Sequence, residues 1–241
     1  NYIATEDLQM SVNAAVALQK PLLIKGEPGT GKTLLAYEVA KSLGKPLVTW
    51  HIKSTTIAQQ GLYEYDAVSR LRDSQLGDEK VQDIANYIKK GKLWEAFTAP
   101  QLPVLLIDEI DKSDEAFEAF LLEVLSAYQV SIPEIGVLKA KTPPIVFLTS
   151  NNVRDLGDAL KRRCLHLYIP FPDARLESRI VRTQVPEVAD ALRAQLVAFV
   201  QALRELAPGS YAVFVVKDDG QLELRPVTVG LRDFASEEGQ L

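Results

Sequence analysis

Residues 26–33, Gly26-Glu27-Pro28-Gly29-Thr30-Gly31-Lys32-Thr33, put three glycines, a lysine and a hydroxyl at the spacing of a phosphate-binding loop. Such a loop works only when a buried strand runs into it and a helix opens after it, so that unpaired amides and the positive helix end face the phosphates. Both flanks are present: Pro21-Leu22-Leu23-Ile24-Lys25 precedes it, and Leu34-Leu35-Ala36-Tyr37-Glu38-Val39-Ala40 comes after it. Glycines let the backbone curl where a Cβ would be strained. Lys32 is placed to reach β- and γ-phosphates, and the Thr33 hydroxyl to ligate Mg2+. Residues 26–33 together with Leu34 are therefore expected to bind a nucleoside triphosphate.

A second acidic motif sits at the end of another apolar run, Leu105-Leu106-Ile107-Asp108-Glu109. Open α/β sheets bind ligands beyond the carboxyl ends of their strands. Asp108 there would hold Mg2+, and Glu109 would orient and activate an attacking water. The same two acids would also suit the start of a helix, where negative charge is favoured. Beside an intact phosphate loop the hydrolytic reading is the stronger. Leu148-Thr149-Ser150-Asn151-Asn152 ends a further strand, and the Asn151 amide could reach a γ-phosphate or the water. Asn and Ser are also ordinary strand-to-loop residues, so the residues alone leave both readings open. Asp158-Ala159-Leu160-Lys161-Arg162-Arg163-Cys164 reads as a helix end with three consecutive cations. The helix dipole alone would favour them; an arginine finger reaching a neighbouring subunit's nucleotide is the sharper reading.

The elements that must position these residues alternate between strand and helix. Strands are expected at 22–25, 47–52, 104–107, 145–149 and 165–169, and helices at 11–18, after the loop to about 42, around 83–89 and 93–97, and at 176–183 and 188–206. That alternation is the signature of a parallel sheet covered on both faces. Gly44 is the expected cap of the helix after the loop. Pro170-Phe171-Pro172-Asp173 is the expected boundary between an α/β core (1–172) and a smaller, mainly helical lid (173–241). Residues 128–140 and 211–224 read as β-hairpins, the second around Asp219-Gly220. His51 and His166 fall inside strand patterns and are expected to be packed core residues.

With 241 residues the chain can bury a sizeable core. Lys plus Arg total 27 and Asp plus Glu 32, a net charge of −5, which argues against sequence-independent nucleic-acid binding. Cys164 is the single cysteine, so no internal disulfide forms and a zinc site lacks ligands. The sequence contains neither a run of 18 apolar residues nor a signal-peptide pattern, and the expectation is a cytoplasmic protein without a membrane span.

Taken together, the four motifs resemble those of the AAA+ ATPases over about residues 1–185, a P-loop NTPase fold with a five-stranded parallel core. The wording is similar to the MoxR branch and its CoxD-like members. The phrases that carry this are PLLIKGEPGTGKT, IKSTTIAQQGLYEYDAVSRLRDSQLGD, GKLWEAF, LLIDEIDKSDEAFEAFLLEVLS, VFLTSNN and DALKRRC. The resemblance implies ATP and Mg2+ as cofactors, Asn151 as a first sensor, and Arg163, with Arg162 beside it, as the arginine finger. It implies a homo-oligomeric ring, commonly a hexamer, whose ATP turnover remodels or matures a client protein. CoxD-like members imply a client metalloenzyme of the molybdenum hydroxylase or carbon monoxide dehydrogenase type and a partner with a von Willebrand factor A domain. It further implies that 53–78 contains the segment facing the ring pore. Tyr63 and Tyr65 there would either grip a client or pack within their own subunit. The family pattern is lost at the C-terminus, where Leu224–Ala235 is a loose echo of it. Arg232 is the candidate for a second sensor, and a surface helix charge is the alternative. A nucleic-acid-associated motor would need a basic stripe the chain lacks. A monomeric nucleotide switch or kinase would not need a finger in trans.

Overall fold

The structure, a computed structural model, describes residues 2–132, 136–187, 189–205, 211–216 and 222–227. It divides into two compact units, Tyr2–Phe171 and Pro172–Leu241.

The larger unit is built on five parallel strands: β1 (Leu22–Lys25), β2 (Leu47–His51), β5 (Val104–Asp108), β8 (Ile145–Ser150) and β9 (Leu165–Tyr168), in the order β2-β5-β8-β1-β9. The three inner strands are nearly continuous apolar runs because both faces are covered. Alternate side chains of the same strand enter different cores. Leu22, Ile24, Val104, Leu106 and Phe147 pack with Leu8 and Ala15 of α1 (Glu6–Leu18) and Leu35, Ala36 and Ala40 of α2 (Lys32–Ser42). Leu23, Leu105, Ile107, Val146 and Leu148 pack with Leu93 and Phe97 of α4 (Lys92–Thr98) and with Phe117, Leu121 and Val124 of α5 (Glu115–Ala127). Helix starts obey local capping chemistry: the Thr5 hydroxyl accepts from Leu8 N–H, and Asp114 accepts from Phe117 N–H at 2.7 Å. Gly44, just beyond α2, is left-handed at φ +60° and ends it as the sequence suggests.

The segment between β2 and α4 departs most from expectation. Residues 83–89, which read as helical, form a short 3-10 turn (Ile84–Tyr87) and then β4 (Ile88–Lys90), which pairs antiparallel with β3 (Tyr63–Tyr65). The ladder matches Tyr63 with Lys90 and Tyr65 with Ile88, and this long-range pairing overrides a weak local helical pattern. A helix not anticipated, α3 (Ala67–Leu76), precedes it, with Asp66 accepting from Ser69 N–H at 2.9 Å and Gly77 closing it at φ +71°. Strand β2 reads as a buried strand, yet only Trp50 of it is buried, because β2 is an edge of the sheet.

The hairpin before β8 is β6 (Gln129–Ile132) with β7 (Gly136–Lys139), paired antiparallel. The short helix α6 (Asp158–Arg163) leads into β9. The smaller unit contains α7 (Ala174–Gln184), capped by Asp173, then α8 (Asp190–Glu205) and the antiparallel pair β10 (Tyr211–Val216) and β11 (Leu222–Val227). The turn at Asp219-Gly220 and Arg232 lie outside the described residues. Among the described residues no helix is long and apolar enough to cross a membrane.

Candidate nucleotide site

The carboxyl ends of β1, β2, β5 and β8 meet at one edge of the sheet, and the candidate residues sit at or just beyond those ends. A cleft of about 380 Å³ opens there, lined by Pro28, Gly29, Gly31, Lys32, Thr33, Leu34, Asp108, Glu109, Thr149 and Asn151. It lies wholly within the larger unit.

The loop after β1 is shaped for a close-fitting anion. Gly31, the residue before α2, is left-handed at φ +87°, which lets the first-turn amides of α2 face outward unpaired. A Cβ on Gly26 would sit 2.3 Å from the Ile169 carbonyl oxygen, so only glycine lets the loop fold back on the end of β9. Lys32 is buried, and its Nζ donates to the carbonyls of Gly26 (2.8 Å) and Glu27 (2.7 Å). Burial pushes its pKa down, against the pull of the Asp111, Glu27, Asp108 and Glu109 carboxylates. Thr30 braces the loop by donating its hydroxyl to the Glu27 carbonyl at 2.9 Å. Of the nine residues expected to bind nucleotide here, Gly26, Glu27 and Thr30 shape the loop, while the other six line the cleft.

Asp108, at the end of β5, is the most heavily engaged acid. Its Oδ1 accepts from the Thr33 hydroxyl at 3.0 Å and from the Thr149 hydroxyl at 2.5 Å. Its Oδ2 accepts from His51 Nδ1–H at 3.0 Å. His51 is thus corrected from core residue to exposed partner of a buried acid, because its place at the carboxyl end of β2, in register with Asp108, lies beyond the apolar layer. His166 is also exposed, on the edge strand β9, with Nε2 2.9 Å from the Lys161 carbonyl.

Glu109 adopts the left-handed conformation (φ +61°), and its N–H donates to the Thr149 hydroxyl at 2.9 Å. Thr149 therefore ties both acids to β8. The Glu109 carboxylate accepts from Lys112 Nζ at 2.7 Å, which raises the Lys112 pKa through that hydrogen bond. Lys112 is exposed, and a surface pair of this kind yields readily to a competing charge. Asn151 lines the cleft, its backbone fixed by donation to Asp111 Oδ2 at 3.1 Å; Val153 N–H donates to the same oxygen at 3.0 Å. Arg162 and Arg163 do not line this cleft. Arg163 is exposed on α6, with Nη1 donating to the Leu122 carbonyl at 3.3 Å.

Thr149, Asp111 and His51 are participants that sequence reasoning passes over. Thr149 is visible in the Thr-Ser-Asn-Asn cluster, and Asp111 three residues after Asp108. His51 can be found only through the strand pairing.

Among the described residues no cluster of three or more His, Cys, Asp or Glu could hold a metal alone. Thr33 and Asp108 instead offer two hard oxygens beside the phosphate loop, the donor set that suits a Mg2+ shared with substrate phosphates. The residues fit ATP with Mg2+.

The parallel sheet, the phosphate loop after β1 and the paired acids at the end of β5 define a P-loop nucleoside triphosphatase. Residues 22–172 match the ATPase family associated with various cellular activities (AAA), and the chain belongs to that family; it is an ATP-hydrolysing enzyme. It is similar to gas vesicle ATPase GvpN2 of Halobacterium salinarum, with 27% identity over 79% of this chain and 58% of that protein. It is also similar to Lon protease of Rickettsia conorii, with 30% identity over 61% of this chain and 18% of that protein. The chain thus spans little more than half the length of the first relative and less than a fifth of the second. Among solved structures, the Thermotoga maritima RuvB Holliday junction branch migration motor shares the fold, with a TM-score of 0.51, 18% identity, and coverage of 80% of this chain and 54% of that one.

Proposed function

We propose that this chain is the nucleotide-binding core (1–172) and lid (173–241) of a MoxR-like, ring-forming ATPase that uses ATP turnover to remodel or mature a partner protein. The client class is a metal-cofactor enzyme of the molybdenum hydroxylase type, with a von Willebrand factor A domain protein as companion and the cytoplasm as compartment. The motif phrases support this branch. The observation that carries the ring is the separation of Arg163 from its own cleft, while Lys32, Asp108, Glu109 and Asn151 gather inside it.

In this reading Lys32 leaves the loop carbonyls and takes up charge on the β- and γ-phosphates. Thr33 and Asp108 would hold Mg2+, which when bound would supply positive charge beside the phosphate oxygens. His51 and Thr149 keep Asp108 oriented. Glu109 exchanges Lys112 for a water, orients it in line with the γ-phosphorus and accepts its proton as the new oxygen–phosphorus bond forms. The bond to the bridging oxygen breaks, and ADP leaves with that oxygen. Asn151 hydrogen-bonds the γ-phosphate or the water, and Arg163 of an adjacent subunit stabilises the transferring group.

Arg163→Ala separates this reading from a monomeric nucleotide switch. Its ATP affinity should stay close to wild type while turnover falls by about 10³-fold, and the wild-type enzyme should elute as an oligomer with nucleotide. Full turnover by Arg163→Ala, or by a demonstrably monomeric protein, would refute the reading.

A further inference from the structure

One ionic network in the larger unit, a buried Glu118 paired with a half-exposed Arg154, plays no part in the hydrolytic chemistry. Glu118, on α5, is only 5% exposed. Its Oε1 accepts from Arg154 Nη2, and its Oε2 accepts from the Gly157 N–H at 2.7 Å. Gly157 is the residue from which α6 starts. Arg154 Nη2 also donates to the Ser113 carbonyl at 2.7 Å, and Ser113 closes the turn that begins at Glu109. Arg154 itself belongs to the loop that Asp111 pins through Asn151 and Val153. A continuous set of bonds therefore joins the turn after Glu109, the Asn151 loop and the start of α6.

Helix α6 needs such anchoring. It has six residues and buries Leu160 alone, too little to fix its own direction. Helix α5 grips it twice. Glu118 holds the amide at its first end, and the Leu122 carbonyl, one turn further along α5, holds Arg163 at the other. An ion pair of this burial is a poor source of stability, since apolar replacements of both partners are often neutral or better. Its effect falls instead on geometry.

We propose that Glu118 and Arg154 are positioning residues that set the direction of α6 and so aim Arg163 at the nucleotide of the adjacent subunit. The inference rests on the reading of Arg163 as a finger in trans. It places a defect in the pair at the neighbour's site rather than at the subunit's own.

Mixed assemblies test it. Lys32→Ala subunits have no working cleft but keep an intact α6. Arg154→Ala alone should bind ATP with near wild-type affinity and turn over about tenfold to a hundredfold more slowly, as a displacement near 1 Å can cost. Mixed with Lys32→Ala subunits, it should recover much of that loss, because its own cleft then meets a well-aimed finger. Arg154→Lys, which keeps a cation for Glu118, should recover part of the rate unaided. Glu118→Gln with Arg154→Met removes both charges and leaves no orphaned carboxylate. It should melt close to wild type while showing the same slow, rescuable turnover. An Arg163→Ala mixture that Lys32→Ala rescues, beside Arg154 mixtures that it does not, overturns the positioning role alone. Normal turnover in the double variant does the same. Failure of the Arg163→Ala mixture to recover removes the trans finger, and this inference with it.

Discussion

Lys32 and Cys164 show how far burial changes a side chain's chemistry. Lys32 is held by two loop carbonyls, and in the proposed mechanism it exchanges these for phosphate oxygens when ATP binds. Lys32→Ala should weaken ATP binding by about tenfold to a hundredfold, the worth of a hydrogen bond to a charged group, as titration with a fluorescent ATP analogue would show. Unchanged affinity would remove Lys32 from phosphate binding. Cys164 comes directly after Arg163 and enters the core, and burial pushes its thiol from 9.0 up to about 12. The thiolate is the reactive form, so native protein should be alkylated slowly at mildly alkaline pH and rapidly once denatured. The linkage has a definite sign. A folded pKa above the unfolded one contributes stability below pH 9 that is lost as pH climbs toward 12. Cys164→Ala should therefore flatten the alkaline fall in melting temperature, and an equally steep fall would contradict that burial.

At the scale of elements, the excursion between β2 and α4 separates the two tyrosines. Tyr63 is 8% exposed and sits in the core with Trp50, Leu62 and Trp94, whereas Tyr65 is 40% exposed, its hydroxyl accepting from Arg70 at 2.9 Å. Tyr63→Ala should cost about 3 kcal/mol of stability, as other large aromatic truncations do. Tyr65→Ala should melt near wild type and keep ATP turnover, and reduced client maturation in that variant would make Tyr65 part of a working surface. A thermal melt of each decides; equal losses would contradict the difference in burial. Two close approaches hold the hairpin: a Cβ on Gly91 would lie 2.3 Å from the Gln60 carbonyl oxygen, and one on Gly61 would lie 2.2 Å from the Trp50 ring. Gly91→Ala should destabilise by about 1–3 kcal/mol, as overpacking does.

The same segment marks where the sequence stops being legible. The five core strands and the residues at their ends can be read because each is a short apolar run broken by glycine, acid or asparagine. Helix α3 escapes notice because it buries none of its residues, so no apolar stripe marks it; its Asp66 and Gly77 caps are the available signal. Strand β4 reads as helix because its partner β3 lies far upstream, across α3, and no local pattern reports that pairing. The bond from Asp66 N–H to the Tyr87 carbonyl, at 2.8 Å, closes the same long-range contact. The histidines are misplaced for a related reason. Strand periodicity locates a residue on a strand but not the strand at a sheet edge.

For the whole molecule, the proposed ring has a cleft assembled within one subunit and completed by the next. Lys32, Asp108, Glu109 and Asn151 come from different parts of the chain to one edge of the sheet, while Arg163 lies outside their cleft. The central chemical assignment is Glu109 as the group that activates water. The measurement that tests it most directly is ATP binding and steady-state hydrolysis by Glu109→Gln, which keeps the side-chain shape and removes the base. The predicted result is near wild-type ATP affinity with turnover reduced by on the order of a hundredfold or more. A normal rate of hydrolysis by Glu109→Gln would contradict the assignment.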